Sequence, residues 1–202
     1  NSISIMTPQF VETLKMTNGK PIGLTYHQAR MERTICHFFP TLANTHMPCL
    51  QNSIMPQTSE GVIKVRVVYG AEGIEQVEYI PYVMRCIQSL QIVTDDAIDY
   101  SYKSTDRSAL NALLAQRGNC DDIIIVKNGL VTDTSFTNIA IYDGTHWLTP
   151  RTPLLAGTQR ARLLDEGSIQ VADITPDMLR QAQRVRLFNA MTSFEVNRIS
   201  FK

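Results

Sequence analysis

No apolar run in this 202-residue chain reaches the roughly 18 residues needed to cross a bilayer, and its start lacks the basic-then-apolar order of a secretory signal. A membrane association is therefore not expected, and a cytoplasmic location is. Cysteine is sparse: Cys36, Cys49, Cys86 and Cys120 stand at spacings that match neither paired metal ligands nor a dense disulfide framework, and they read as reduced thiols. His27, His37, His46 and His146 include no pair at helical ligand spacing, so no metal centre is expected. An excess of charge of either sign is missing too. Nineteen basic residues balance nineteen acidic ones, which leaves no overall field for nucleic acid or an acidic membrane surface. A small, locally bound ligand is the better expectation. The chain shows no internal repeat and no low-complexity tail. Its first methionine is Met6, and residues 1–6 read as a processed or appended end.

What is present is an ordinary globular composition, 44% hydrophobic and 19% charged. "FVETLKM" reads as a strand, followed by an Asn18-Gly19 turn into a second strand. A helix is expected over residues 25–37 with Thr25 as its cap. The proline-punctuated and polar stretch from Phe38 to Ser59 reads as irregular or briefly helical. "GVIKVRVVYG" alternates with period two and pairs with "IEQVEYIPYV" across a Gly70–Gly73 turn. Further on come a strand at "IQSLQIVTD", a helix at "DRSALNALLAQ", and a buried strand "DDIIIV" turning at Asn128-Gly129. A hairpin through Asp143-Gly144 and a helix "GTQRARLLDEG" stopped by Gly167 follow. The next helix has Thr175 as cap and Pro176 in its first turn, and "RVRLFNA" is expected as the last strand. Tight turns between neighbouring strands require antiparallel pairing, so the sheets should be mixed or antiparallel. The division expected is a small N-terminal α/β domain over residues 1–84 and a larger C-terminal one over 85–202.

Three places could carry chemistry. Lys103 lies between Tyr100, Tyr102 and a helix start, where a partly desolvated amine becomes a nucleophile; read alone, it is equally a solvated lysine ahead of a helix. Asp133 follows a buried strand and precedes Asn138, as a carboxylate facing a site would, or as an Asp satisfying turn amides would. Gly157 leaves the amides of Thr158 and Gln159 at the positive end of a helix, an anion site or a plain glycine before a helix. It belongs to neither a Walker loop nor a dinucleotide-binding GxGxxG.

Their order along the chain decides. A lysine, an acid some thirty residues later and a Gly-Thr-X-Arg helix start resemble the layout of fold type IV pyridoxal-phosphate enzymes, the class IV aminotransferases. "FVETLKMTNGKPIGLTYHQARMERT" is similar to that family's Phe-x-Glu-Thr strand, Asn-Gly turn and His-x-x-Arg helix, here His27 and Arg30. "YKSTDRSALNALL" resembles the lysine segment of the 4-amino-4-deoxychorismate lyases, with Arg107 four residues after Lys103. "GLVTDTSFTNIAIYDGTHWLTP", "LAGTQRARLL" and "RLFNAMTSFEV" resemble, in order, the acid strand, the helix start and the closing strand with its Asn-Ala turn.

The resemblance implies a two-domain α+β fold with mixed sheets flanked by helices, and pyridoxal 5′-phosphate as cofactor. It implies that Lys103 holds the cofactor covalently and then moves the proton. Arg30 is the phosphate-binding arginine, and Asp133 stands where relatives place a glutamate against the ring nitrogen. Asn138, Gly157, Thr158, Gln159, Asn189 and Ala190 complete the cofactor site, with Arg107 and Met191 toward substrate. Relatives carry a longer stretch before Phe-x-Glu-Thr, which predicts a more open pocket here. A homodimer is implied. The block around Asp106-Arg107 favours the lyase, which forms 4-aminobenzoate and pyruvate, over a branched-chain or D-amino-acid transaminase using 2-oxoglutarate. A family member that binds the cofactor without catalysis is the reading outside enzymes.

Overall fold

A computed structural model describes residues 7–58, 60–196 and 199–202; residues 1–6, and whatever their origin, lie outside the described residues. The chain divides into two compact units, one built from the residues up to Tyr82 together with Tyr102–Asp106, the other from Val83–Ser101 and Arg107–Lys202.

The first unit contains β1 (Phe10–Thr17), β2 (Lys20–Pro21), α1 (Leu24–Phe38), α2 (Pro40–Thr45), α3 (Leu50–Ser53), β3 (Val62–Gly70) and β4 (Gly73–Pro81). Its sheet runs β2-β1-β3-β4 and is antiparallel throughout. Asn18 and Gly19 both take positive φ, 49° and 76°, the turn whose twist matches a hairpin. A Cβ at Gly19 would also lie 2.6 Å from the Gln57 carbonyl oxygen, so glycine is required there twice over. The cap of helix α1 lies two residues before Thr25: Gly23, with φ 70°, is the cap residue, and its carbonyl accepts the His27 amide. Thr25 is therefore inside the first turn. The stretch after α1 holds two short helices, α2 and α3; Ser59 lies outside the described residues. Phe10, Leu14 and Met16 alternate onto the face of β1 that meets Met31 and Ile35 of α1, which builds this unit's core.

The second unit contains β5 (Ser89–Thr94), α4 (Ser108–Leu114), β6 (Asp122–Lys127), β7 (Leu130–Thr134), β8 (Asn138–Tyr142), β9 (Trp147–Pro150), α5 (Thr158–Asp165), β10 (Gln170–Ala172), α6 (Pro176–Gln181), β11 (Arg184–Phe188), β12 (Ser193–Val196) and β13 (Ser200–Phe201). Two mixed sheets form, in the orders β13-β5-β6-β7 and β10-β9-β8-β11-β12. The pairs β13–β5, β5–β6 and β9–β10 are parallel, the others antiparallel. The run "IIIV" in β6 is buried on both faces: Ile124 and Val126 join the core between the sheets, while Ile123 and Ile125 pack against Leu110 and Leu113 of α4. Thr175 caps α6 as expected, its hydroxyl accepting the Met178 amide. The strand β11 is not the last. Strands of four and two residues follow it, β12 against β11 and β13 against β5, too short for a periodic pattern to declare them. Among the described residues no helix is long and apolar enough to cross a membrane.

Candidate active site

In the first unit, the segment carrying Lys103 lies along the otherwise open edge of β1. The Val11 amide donates to the Lys103 carbonyl at 2.9 Å, the Thr105 amide donates to Gln9 O at 3.0 Å, and Ser104 forms a bridge with Phe10. Tyr102, next door, stacks on His37 with ring centroids 4.9 Å apart and meets the edge of Phe38 at the same separation. The backbone of Lys103 is thus fixed by strand pairing and its neighbour by aromatic packing.

Glu12 lies on the core face of β1, fully buried, and gathers charge from α1. Arg30 Nε donates to Glu12 Oε2 at 2.8 Å and Arg30 Nη2 donates to Oε1 at 2.8 Å, a bidentate grip. His27 Nδ1 lies 2.8 Å from Oε1 as well. Burial works against the Glu12 carboxylate, yet Arg30 and His27 outweigh it and hold the group below the usual carboxylate range. Burial lowers His27, against the pull of Glu12, and the charge of Lys103 lowers it further. Lys103 and Arg30 both act on His27, whose lowered pKa leaves it a neutral imidazole with Nδ1–H donating to the Glu12 carboxylate.

In the second unit, Asp133 in β7 is buried, with 5% of its surface exposed. Its Oδ2 accepts the Leu155 amide at 3.1 Å, while Oδ1 has no hydrogen-bonding partner among the described residues. Burial pushes the carboxyl up to about 7, against the lowering effect of the Leu155 amide. Asn138, at the start of β8, secures the same loop from both sides: its Nδ2 donates to Leu155 O at 3.0 Å and its Oδ1 accepts the Gly157 amide at 3.1 Å. A Cβ on residue 157 would come 2.3 Å from that Oδ1, so the loop closes this tightly only with glycine. Helix α5 then starts at Thr158 with no side-chain cap and no acidic residue in its first turn. The Gly157 carbonyl accepts its first helical bond from Ala161, so the amides of Thr158 and Gln159 precede the helical ladder. The side chain of Gln159 is turned to Arg162, which donates to it twice.

Asn189 shapes the turn between β11 and β12. Its Oδ1 accepts the amides of Met191 and Thr192, with Ala190 inside the loop so closed, and its Nδ2 donates to Phe136 O at 3.0 Å. Arg107 donates to the neighbouring Ser135 carbonyl at 2.6 Å. Asp133, Asn138 and Gly157 thus meet around one loop, and Asn189 and Arg107 meet at the β7–β8 turn. Met191 is buried beside the latter.

Residues 9–199 match the family model described as amino-transferase class IV. An uncharacterized protein of Haemophilus influenzae is 40% identical over 187 residues, 92% of this chain and 98% of its own length. The chain belongs to the class IV aminotransferases. A solved protein of Haemophilus somnus, provisionally assigned as a 4-amino-4-deoxychorismate lyase, is similar at 32% identity and a TM-score of 0.79, over 96% of this chain and 98% of that one. A Mycobacterium tuberculosis protein described as a hypothetical aminotransferase, in its pyridoxal-phosphate-bound form, shares the fold at 19% identity and a TM-score of 0.73, over 95% of this chain and 81% of that one. The α+β architecture of mixed sheets flanked by helices is accordingly that of the fold type IV enzymes.

Two members of the charged neighbourhoods in this class IV chain escaped the reading of its sequence as site residues. Glu12 had a signal: it stands at i+2 from Phe10 and i−2 from Leu14, so the period of β1 carries a carboxylate onto an apolar face, where it must find a partner. Arg160 was visible within the Gly-Thr-X-Arg helix start, but nothing local aims an arginine at an acid twenty-seven residues earlier.

Asp133 makes a pH-dependent prediction. Its folded pKa of about 7 exceeds the ordinary 3.8, so the folded state holds its proton more tightly than the unfolded state. The contribution of this group to the stability of the cofactor-free protein is then greatest below pH 4, falls as pH rises from about 4 to 7, and levels off above, by on the order of 4 kcal/mol. Asp133→Asn removes that decline. Urea denaturation of both proteins at half-unit pH steps tests it; parallel stability profiles would sink the idea.

Proposed function

We propose that this class IV aminotransferase is a pyridoxal-phosphate-dependent lyase that converts 4-amino-4-deoxychorismate to 4-aminobenzoate and pyruvate, a reaction of folate biosynthesis. The observation that carries the reading is the lysine segment, in which Arg107 follows Lys103 at the lyase spacing; the 32% identical relative supports it.

The residues fit the cofactor. The buried Oδ1 of Asp133, without a hydrogen-bonding partner among the described residues, can accept a hydrogen bond from a protonated ring nitrogen, and the start of α5, which has no side-chain cap, suits a phosphate. Arg30 would add its charge to the phosphate, oriented by Glu12. Asn138, Gly157 and Asn189 hold the loops in shape, with Ala190 and Met191 in the turn. Bound pyridoxal phosphate supplies an electron-withdrawing ring that stabilises negative charge on the reacting substrate. Lys103 would provide the amine that holds the cofactor, and its Nζ would act as the base that takes the proton from the substrate ring carbon. The ether bond to the side chain breaks, the leaving group takes up a proton and departs as pyruvate, and the ring becomes aromatic. In this reading Arg107 would meet a substrate carboxylate.

The chain shares its fold with a protein described as a hypothetical aminotransferase, and fold alone does not choose between lyase and transaminase. Supplying 4-amino-4-deoxychorismate with no keto acid and assaying pyruvate separates them. Stoichiometric pyruvate and 4-aminobenzoate are expected. Failure to release pyruvate, with glutamate formed from an amino acid and 2-oxoglutarate, would reject the lyase in favour of the transaminase. The working species in this reading is a cytoplasmic homodimer, to be checked by sedimentation.

A further inference from the structure

Asp133 Oδ1 and Arg160 Nε are the two buried side-chain polar atoms of the second unit that lack a hydrogen-bonding partner among the described residues. They belong to groups of opposite charge, and Arg160 acts electrostatically on Asp133. Arg160 is in the first turn of α5, where its Nη2 donates to Pro150 O at 3.2 Å and so anchors the guanidinium at the end of β9. Asp133 is anchored separately, by the Leu155 amide on Oδ2. Among the described residues the two do not close into an ion pair, since the contacts that fix each of them lie on other partners.

That arrangement is unusual for a buried acid with a half-buried arginine acting on it, because an uncompensated buried charge is costly and a direct pair is the common remedy. It suits an acid that must be ionised but must keep one oxygen available. A direct Arg160–Asp133 pair would occupy Oδ1; a cation held short of contact favours the carboxylate through the field alone. We infer that Arg160 is a positioning residue of the cofactor site, keeping Asp133 a carboxylate without occupying the oxygen that receives the protonated ring nitrogen. The inference rests on the cofactor reading proposed above. Other charges on the elements packed near Asp133 are engaged elsewhere: Asp122 of β6 accepts from the Ile123 amide and Ser135 Oγ, and Lys127 donates to Ile98 O. Asp177 and Arg180 of α6 pair at the surface, as do Arg151 and Asp173.

The test is a double-mutant cycle on the cofactor-free full chain, unfolded by urea at pH 5 and pH 9. Without the arginine charge, the Asp133 titration moves up by about one pH unit, so Arg160→Gln should cost about tenfold more in the folding equilibrium constant at pH 9 than at pH 5. Beside Asp133→Asn that excess should vanish, and Arg160→Lys, which keeps the charge, should show little of it. An equal cost at both pH values, or an excess that persists beside Asp133→Asn, overturns the inference. Should Arg160→Gln fail to fold, a tenfold pH-dependent cost in Arg160→Lys overturns it as well. In a parallel arm, equilibrium dialysis with pyridoxal phosphate should show several-fold weaker binding to Arg160→Gln than to the wild type. Wild-type protein that binds no pyridoxal phosphate defeats the cofactor reading, and with it the assigned role, while the unfolding cycle still reports whether Arg160 acts on Asp133.

Discussion

Lys103→Ala should abolish covalent capture of pyridoxal phosphate and lower turnover by upwards of about 10⁴-fold, the upper range for a positioned proton-transfer group. Borohydride reduction of the wild type with pyridoxal phosphate, followed by peptide mass analysis, should place one added cofactor on the peptide bearing Lys103. The alanine variant should show none there. The substitution should leave the first unit folded, because it is the carbonyl of residue 103, not its amine, that accepts the Val11 amide. A reduced adduct on another lysine, with full turnover in Lys103→Ala, would remove Lys103 from the chemistry.

Glu12→Gln should be the most destabilising single change in the first unit, by roughly 3–5 kcal/mol, the usual cost of breaking a buried ion pair from one side. The amide retains the size of the carboxylate but removes the charge that grips Arg30 at a position only 8% exposed, and it loses the charge that orders His27. Replacing both partners, Glu12→Leu with Arg30→Met, should recover part of the loss, since the buried charge then disappears. Urea unfolding at pH 7 measures all three variants. The pH dependence has a definite sign: the Glu12 carboxyl is held below 4.5, so its contribution is present above that value and is lost as pH falls. A cost under about 1 kcal/mol for Glu12→Gln would mean that Arg30 finds another counter-charge.

The elements that the sequence declared were those with strong local chemistry. Asn18-Gly19 and Asn128-Gly129 each place two consecutive residues at positive φ, and both turns stand where that dipeptide predicts. Thr175 with Pro176 opened α6 for the same kind of reason. What stayed hidden was decided by tertiary pairing. Strands β10, β12 and β13 span three, four and two residues and exist because a neighbour offers an edge. The cap of α1 moved to Gly23 because a left-handed glycine can start a helix without a side-chain acceptor. In the candidate site, Asn138, Gly157 and Asn189 were visible as motif members, but their work in tying loops to each other needed the hydrogen bonds. Glu12 was legible from strand period alone. Arg160 was not, because its relation to Asp133 depends on where α5 begins.

The strip from Tyr102 to Asp106 has a consequence for the order in which the protein can be made. A ribosome releases β1, β3 and β4 long before this strip, so the nascent sheet waits with the Val11 amide and the Gln9 carbonyl unpaired on a free edge, the kind of edge that recruits foreign strands. The segment that finally seals it has Lys103 at its centre. Sealing the edge and setting Lys103 in place are therefore one event in biogenesis, and a fragment ending near residue 84 would possess neither.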